Sequence, residues 1–249
     1  MSNRTLQTDS LTSMLNLCRQ VIPYLDGKFE TLDSTFLTTV EDDQWLQGNH
    51  YDQATIIALR NDLKRLFPDA GEAYYQARVW HLLCWQPIYI AFISIYGLQR
   101  LPDFSQFKQQ RQHNAIIGFT FQSEQMVSGT PQQLIAQTKL HLAPLIEHYR
   151  VQLDNVERCR PGYADRFVAD LIFGNLLKVK ALVSDFSGQD ILSHATLWVE
   201  AMGLPQKLLE TLTSNPDNSI EFVRSSCCLA DKIDEELCAN CPKIHKNKQ

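Results

Sequence analysis

Apolar residues recur every three or four positions along most of the chain, the spacing that places them on one face of an α-helix. The first such pattern runs from Leu11 to Ile22, after Ser10 as an N-cap and before Pro23, which cannot continue a helix. A second begins at Asp52 and stops before Pro68. The two segments predict amphipathic helices that each bury one face.

The most apolar stretch of the chain, Leu82–Leu98, lies at the lower limit of what can span a membrane. It contains Gln86 and Pro87, and the residues from Glu72 onward read as the same helix continued through polar positions. A buried central helix fits this pattern better than a transmembrane helix. We therefore predict a core helix and no stable membrane insertion.

The period of the pattern shortens to two between residues 114 and 127, which predicts a short strand that ends at Ser128-Gly129. The apolar side of this alternation is formed by Ile117, Phe119 and Phe121. The β-prone segment Thr35–Val40 is a candidate partner for the strand in a hairpin.

Helical spacing returns after this strand. Four further helices are predicted: one starts at Thr130-Pro131, one follows a turn at Pro161-Gly162, and the last two start at Asp190 and Pro205. The chain therefore predicts a mainly α, α+β fold, in which a helical domain contains a short β-hairpin or small sheet. We place this domain at residues 1–220 and a C-terminal segment without a hydrophobic repeat of its own at residues 221–249.

Four of the seven cysteines lie within fifteen positions near the C-terminus: Cys227 and Cys228, then nine residues, then Cys238 and Cys241. Clustered thiolates are soft ligands that suit tetrahedral zinc or an iron-sulfur cluster and do not suit magnesium or calcium. Zinc sites usually offer two C-x2-C pairs, whereas two of these cysteines are adjacent, so their side chains diverge. Two iron atoms can use diverging sulfurs, but zinc is the commoner structural metal. Spacing alone leaves both metals open.

The composition narrows the setting of this site. A net charge of −5 disfavours a sequence-independent grip on a nucleic-acid backbone, so no nucleic-acid partner is expected. The polar N-terminus leads into no apolar segment of a secretory signal, which favours a cytoplasmic location. In that reducing compartment, clustered cysteines are expected to bind metal rather than to form disulfides.

The segment that runs from Arg224-Ser-Ser-Cys227-Cys228-Leu229 to Cys238-Ala-Asn-Cys241-Pro242 resembles the FhuF-like ferric-siderophore reductases. The resemblance covers only this end of the chain, and the spacer between the cysteine pairs is slightly shorter than is usual in that family. It implies a 2Fe-2S cluster whose ligands are Cys227, Cys228, Cys238 and Cys241. It further implies a cytoplasmic oxidoreductase that reduces siderophore-bound Fe(III) to Fe(II), with a ferric siderophore of hydroxamate type as its substrate.

Cations outside the cysteine cluster are candidates for binding such a substrate, which is bulky and often anionic. The candidates are Arg224, Arg158, Arg160, Arg166 and Lys178. Arg224 can alternatively donate a hydrogen bond to a sulfur. Four aromatic residues can line the same groove, although core packing is the commoner role of such side chains. They are Tyr74, Tyr75, Trp80 and Trp85.

The remaining cysteines are separate from the cluster. Cys159 lies between two arginines, a setting that predicts a lowered pKa and a reactive thiol. Cys18 and Cys84 lie on apolar faces and are expected in the core.

The sequence contains no glycine-rich phosphate loop and no dinucleotide fingerprint, so the expected electron donor is a reduced ferredoxin-like protein rather than a bound nicotinamide or flavin. The alternative function is a non-enzymatic interaction protein whose four cysteines hold structural zinc. Because zinc has no accessible redox step, the identity of the metal separates the two functions.

Overall fold

The structure, a computed structural model, describes residues 2–31 and 44–245. The α-helices within these ranges are α1 Ser2–Val21, α2 Asp52–Leu66, α3 Glu72–Leu98, α4 Pro131–Asp154, α5 Pro161–Leu176, α6 Gly188–Ala201 and α7 Pro242–His245. The strands are β1 Gly27–Phe29, β2 Trp45–Leu46, β3 Arg100–Pro102, β4 Phe107–Gln112, β5 Ala115–Phe121, β6 Met126–Ser128, β7 Leu212–Ser214 and β8 Ile220–Phe222. The predicted mainly α, α+β fold is confirmed.

Helix α3 forms the centre of the helical body, with α1, α2, α4 and α5 packed around it. The indole N–H of Trp80 donates to the Ala164 carbonyl at 3.2 Å across the α3–α5 interface. By length and composition α3 could cross a membrane, but 78% of its most apolar 18-residue window is buried inside the protein. Burial of this extent is that of a core helix, as predicted.

The two amphipathic helices predicted first are both present. Helix α2 has the predicted bounds, and Ile56, Leu59 and Leu63 are fully buried. Helix α1 ends before Pro23 as predicted but begins at Ser2, so Ser10 lies within the helix and is not its N-cap. The N-cap prediction was wrong because polar residues upstream of Ser10 are also compatible with a helix.

The predicted strand is β5, the inner strand of a sheet with the order β1-β5-β4-β2. It forms an antiparallel hairpin with β4, which precedes it, and pairs in parallel with β1 on its other side. The segment proposed as its partner, Thr35–Val40, lies outside the described residues.

The burial of side chains along β5 departs from the predicted alternation, since Ile116 is buried and Ile117 is only partly buried. The register of β4 against β5 shifts between Gln109 and Arg111, where two residues of β5 oppose one of β4. Gly118, in this bulge, has a φ of +87°, which an L side chain rarely adopts. A bulge reverses the faces beyond it, so only Phe119 and Phe121 follow the pattern.

The later helices start close to the predicted positions. Thr130 caps α4 in a reciprocal capping box with Gln133. Helix α6 begins at Gly188 rather than Asp190, because Ser187 is the N-cap and the Asp190 carboxylate accepts a hydrogen bond from its backbone N–H at 2.8 Å. The short helix after Pro205 is a 3-10 helix, Gln206–Thr211.

The β7–β8 hairpin leads into the C-terminal segment. It crosses residue 220, the predicted boundary, and Phe222 packs edge-on against Phe173 of α5 with a centroid distance of 5.9 Å. The start of the segment is therefore attached to the helical body, and the division into residues 1–220 and 221–249 stays a prediction.

Candidate metal centre

The segment after β8 carries the four clustered cysteines on turns. Cys227 and Cys228 follow a bend at residues 225–226, while Cys238 and Cys241 flank the turn before α7. Cys241 is fully buried and the other three are partly exposed. The spacer contains a 3-10 helix, Ala230–Ile233, and its acidic residues are exposed, so solvent screens their charges.

Asp170 of α5 fixes the first arm of the site. Its carboxylate, 1% exposed, accepts hydrogen bonds from the backbone N–H groups of Ser225 at 2.8 Å and Ser226 at 2.9 Å. The Ser225 hydroxyl donates to it at 3.0 Å, and Arg224 Nε lies 3.5 Å away. Burial raises the pKa of Asp170, and these donors oppose the rise. The carboxylate thus holds the loop immediately before Cys227.

Backbone hydrogen bonds join the two arms. The Arg224 N–H donates to the Asn240 carbonyl at 3.0 Å, and within the second arm the Cys241 N–H donates to the Cys238 carbonyl at 2.9 Å. In the first arm, the Leu229 N–H donates to Cys227 Sγ at 3.4 Å. A hydrogen bond to a ligand sulfur is one way in which a protein tunes the potential of a cluster.

The thiols of the two arms lie close enough to interact with one another. Cys227 lies beside Cys241, and the charge of Lys243 acts on both. Cys228 lies near Cys238, and the charge of Arg224 acts on both. Arg224 Nη1 is 3.9 Å from Cys238 Sγ, which is the contact with a sulfur that the sequence suggested. Cys238 also interacts with Cys241, so the four thiols form one connected group.

The surroundings of Cys227 and Cys238 favour the protonated form of these two thiols in the absence of metal. Burial raises the pKa of Cys227, and the neighbouring Cys241 adds to the rise. Burial also raises the pKa of Cys238, against the hydrogen bond and charge of Arg224. A bound metal supplies the positive charge that makes several neighbouring thiolates favourable.

The donor set fits a two-metal cluster better than a single ion. Within residues 2–31 and 44–245, no three histidine, cysteine, aspartate or glutamate side chains converge to hold one metal ion, as a tetrahedral zinc site requires. Four neighbouring thiols are the ligand set of a 2Fe-2S cluster, in which each iron takes two thiolates. The residues that would hold it are Cys227, Cys228, Cys238 and Cys241.

Residues 224–243 match the family model described as FhuF 2Fe-2S C-terminal domain. The segment is a 2Fe-2S segment of FhuF type. This FhuF-type segment, residues 224–243, contains all four cysteines together with Arg224 and Lys243. The match supports an FhuF-like family assignment through this short region only, and no solved structure matches the chain.

The cations predicted to bind substrate do not form one cluster. Arg224 lies in the FhuF-type segment, and the carbonyl of Arg166 accepts a hydrogen bond from the Ser225 hydroxyl at 3.3 Å, while the Arg166 side chain is exposed. Arg158 and Arg160 are exposed in the connection between α4 and α5. Lys178 lies beyond the other end of α5, with its Nζ 5.8 Å from the ring centroid of Tyr89. Their roles in substrate binding stay predictions.

All four aromatic candidates are buried, as their commoner role in core packing implies. Tyr75 and Trp80 are buried and hydrogen-bonded to backbone carbonyls of the helical body. Tyr74 is close enough to Cys228 for the charge of the thiolate to act on it. Trp85 lines a cavity beside α3.

The prediction of a reactive Cys159 was wrong. Its thiol is fully buried, and burial raises its pKa to about 12, an effect that outweighs the charge of Arg150. The flanking arginines of the sequence point away into solvent. Cys18 and Cys84 are both fully buried, as expected.

Sequence reasoning missed Asp170, Arg78 and His81. Asp170 left a weak signal, since it is a carboxylate within the apolar stripe of α5, three positions after Phe167 and one before Leu171. The sequence gives no such signal for Arg78 and His81, because their surroundings depend on which segments of the chain pack against α3.

Proposed function

We propose that this protein is a cytoplasmic ferric-siderophore reductase that releases iron by one-electron reduction. The observation that carries the proposal is the group of four neighbouring thiols in the FhuF-type segment, because four thiolates can hold a 2Fe-2S cluster, which transfers one electron. When bound, the cluster supplies one electron to the chelated Fe(III), and a reduced ferredoxin-like protein replaces that electron.

Reduction is an effective way to release this iron. Fe(III) is a small, hard cation that hydroxamate oxygens hold strongly, whereas Fe(II) is larger and less charged and passes more easily to competing ligands. The electron count is simple, since each Fe(III) gains the one electron that the protein loses. No covalent bond of the chelator breaks.

The residues of the chain position and stabilise this centre. Asp170 orients the loop before Cys227, and Arg224 and Lys243 place two positive charges near the four thiols. These charges favour a centre that becomes more negative when it accepts an electron. Cys228 and Cys238 are partly exposed, which leaves a path for electron exchange at the surface.

The test is anaerobic purification followed by visible spectroscopy and counts of iron and acid-labile sulfide. Dithionite should bleach the visible bands, and a ferric trihydroxamate should restore them while one Fe(II) appears per oxidised cluster, captured by a ferrous-specific chelator. Cys159→Ala is a matched control, because it removes a buried thiol outside the FhuF-type segment and should leave the spectrum unchanged.

Two results would overturn the proposal. A colourless protein with stoichiometric zinc would support the structural zinc site of an interaction protein. A cluster that is reduced by dithionite and is not reoxidised by any ferric siderophore would leave an electron-transfer protein with another acceptor.

A further inference from the structure

A cavity of about 260 Å³ lies between α3 and β5. Arg78, His81, Trp85 and Tyr89 line it from α3 at spacings of three and four residues, so they share one face of the helix. Tyr24 lies at its rim and is 60% exposed. The cavity therefore opens to solvent between aromatic walls and has a cation at one end.

The aromatic wall is held in place. The indole N–H of Trp85 donates to the Ile116 carbonyl of β5 at 3.0 Å. The rings of Tyr24 and Tyr89 lie 5.7 Å and 6.0 Å from that of Trp85, centroid to centroid. Such a preformed surface suits the apolar part of a bulky ligand, because little side-chain entropy is lost on binding.

Arg78 differs from four of the five other partly buried arginines in the described part of the chain, and Arg100 is the exception. Arg60, Arg111, Arg150 and Arg224 each meet a carboxylate within 4.0 Å. Arg78 is partly buried, lines the cavity and forms no ion pair with the described residues. A guanidinium that is partly removed from water without a counter-ion is ready to bind an anionic or oxygen-rich ligand.

Electrostatic interactions connect the same end of the cavity with the FhuF-type segment. Tyr74, one turn before Arg78, is near Cys228, and His81 is near Arg224, which contacts Cys238 Sγ. Burial, followed by the charges of Arg78 and Arg224, lowers the pKa of His81 to about 3. The imidazole is therefore neutral at physiological pH and adds a hydrogen-bonding group without a charge.

We infer that the ferric siderophore docks in this cavity, with its iron-bearing, oxygen-rich end at Arg78 and His81 and its apolar part against Tyr24, Trp85 and Tyr89. The inference rests on the proposed function. It assigns the binding site and a preference, since Arg78 favours ferric complexes of neutral or negative charge over cationic ones.

A second cavity accommodates the remainder of a large chelator. Its volume is about 330 Å³, it is mainly apolar, and Tyr89 lines it as well as the first cavity. Lys178 lies at its edge, which gives that predicted cation a place beside the docked ligand. Ligand pockets usually measure about 300–1,000 Å³, so the first cavity alone would hold only part of a siderophore.

The experiment uses Ga(III), which forms the same trihydroxamate complexes and is not reduced, so binding is measured without turnover. Three complexes of one chelator are titrated calorimetrically into the cluster-containing protein: desferrioxamine B, whose complex is cationic, its N-acetyl derivative, which is neutral, and its N-succinyl derivative, which is anionic. Wild-type protein should bind the anionic complex most tightly and the cationic one most weakly.

Arg78→Gln should weaken the anionic complex by about 10- to 100-fold, the loss expected for a charge-assisted hydrogen bond, and should change the cationic complex by less than about threefold. Arg65→Gln is the matched control, because it removes the same charge from an arginine that is 78% exposed and pairs with Asp62 outside the cavity. Ile117→Trp, which fills the cavity from β5, should weaken all three complexes.

Retention of wild-type affinities by both Arg78→Gln and Ile117→Trp, with the cluster spectrum intact, would overturn the docking site and leave the proposed function standing. Failure of the proposed function has a different signature: no Ga(III) complex binds the wild type, and no Fe(III) complex reoxidises the reduced protein. If Arg65→Gln and Arg78→Gln weaken binding equally, Arg78 acts only through the overall charge of the protein. That result would overturn the proposed contact between Arg78 and the ligand.

Discussion

Replacing Asp170 by asparagine tests whether the helical body holds the metal-binding loop. The carboxylate receives two backbone N–H groups and a hydroxyl, all from Ser225 and Ser226. An asparagine has the same shape, but its single oxygen serves only one side, and its NH2 group then faces another donor. At least one buried donor is left unpaired.

An unpaired buried donor costs about 1–3 kcal/mol, and we take about 2 kcal/mol as the loss of loop-docking free energy in Asp170→Asn. That value is close to a thirtyfold rise in the population of the undocked loop. Changing a residue that supports metal ligands typically lowers metal affinity by about 10- to 100-fold, and the thirtyfold rise in the undocked population lies within this range.

The assay is the anaerobic rate at which excess EDTA bleaches the visible bands of the oxidised cluster. If the chelator attacks the undocked loop, the rate follows the undocked population and should rise about thirtyfold, while the far-ultraviolet circular dichroism stays unchanged. Asp165→Asn is the control, since Asp165 is a partly buried carboxylate of the same helix that makes no hydrogen bond to Ser225 or Ser226.

Bleaching rates of Asp170→Asn and Asp165→Asn that agree within about threefold would refute this reasoning, because the predicted difference is an order of magnitude larger. A coincident loss of helical signal in Asp170→Asn would show instead that the carboxylate supports α5 itself.

Three further outcomes are expected. Cys238→Ser should bleach or shift the visible spectrum while leaving the helical content unchanged; an unaltered spectrum would exclude Cys238 as a ligand. In the folded apoprotein, iodoacetamide should spare Cys18, Cys84 and Cys159, whose pKa values burial raises, as mass spectrometry of the alkylated protein will show. Burial lowers the pKa of His194 from its usual 6.5, so the unfolded chain binds more protons below that pH, and stability should be complete above about pH 6.5 and fall on acidification. The denaturant midpoint of His194→Gln should fall less than that of the wild type over the same range; equal falls would assign the acid sensitivity to other groups.

The helices could be predicted because their apolar residues follow the period of the helix itself. Helix α2 has its predicted bounds, and Thr130 begins α4 with the capping geometry that its sequence indicates. The pairing of β5 could not be predicted in this way. A bulge near Gly118 shifts the register, and which strand lies beside another is decided by the whole chain rather than by local spacing.

The four candidate ligands could be proposed from the sequence because cysteines so close in sequence remain close in space, and their role as ligands stays a prediction. Their partners could not, since Asp170 is more than fifty positions from the loop that it holds. The error at Cys159 has the same origin: adjacent arginines in sequence indicated a lowered pKa, but tertiary burial of the thiol dominates and raises it.

The FhuF-type segment is a weak folding unit, so its attachment to the helical body determines where the metal centre lies. The segment consists of turns, a 3-10 helix and the short α7, and apart from Cys241 few of its side chains are buried, so it has little apolar area to offset the entropy of its chain. The segment is therefore ordered by its contacts with the helical body. These contacts are made by Asp170 of α5 and by the β7–β8 hairpin that precedes the segment. Because α5 also packs against α3, this attachment brings the thiols to the end of α3 that carries Tyr74, Arg78 and His81. The contact that orders the segment thus also brings its thiols within electrostatic reach of the end of α3 that lines the cavity.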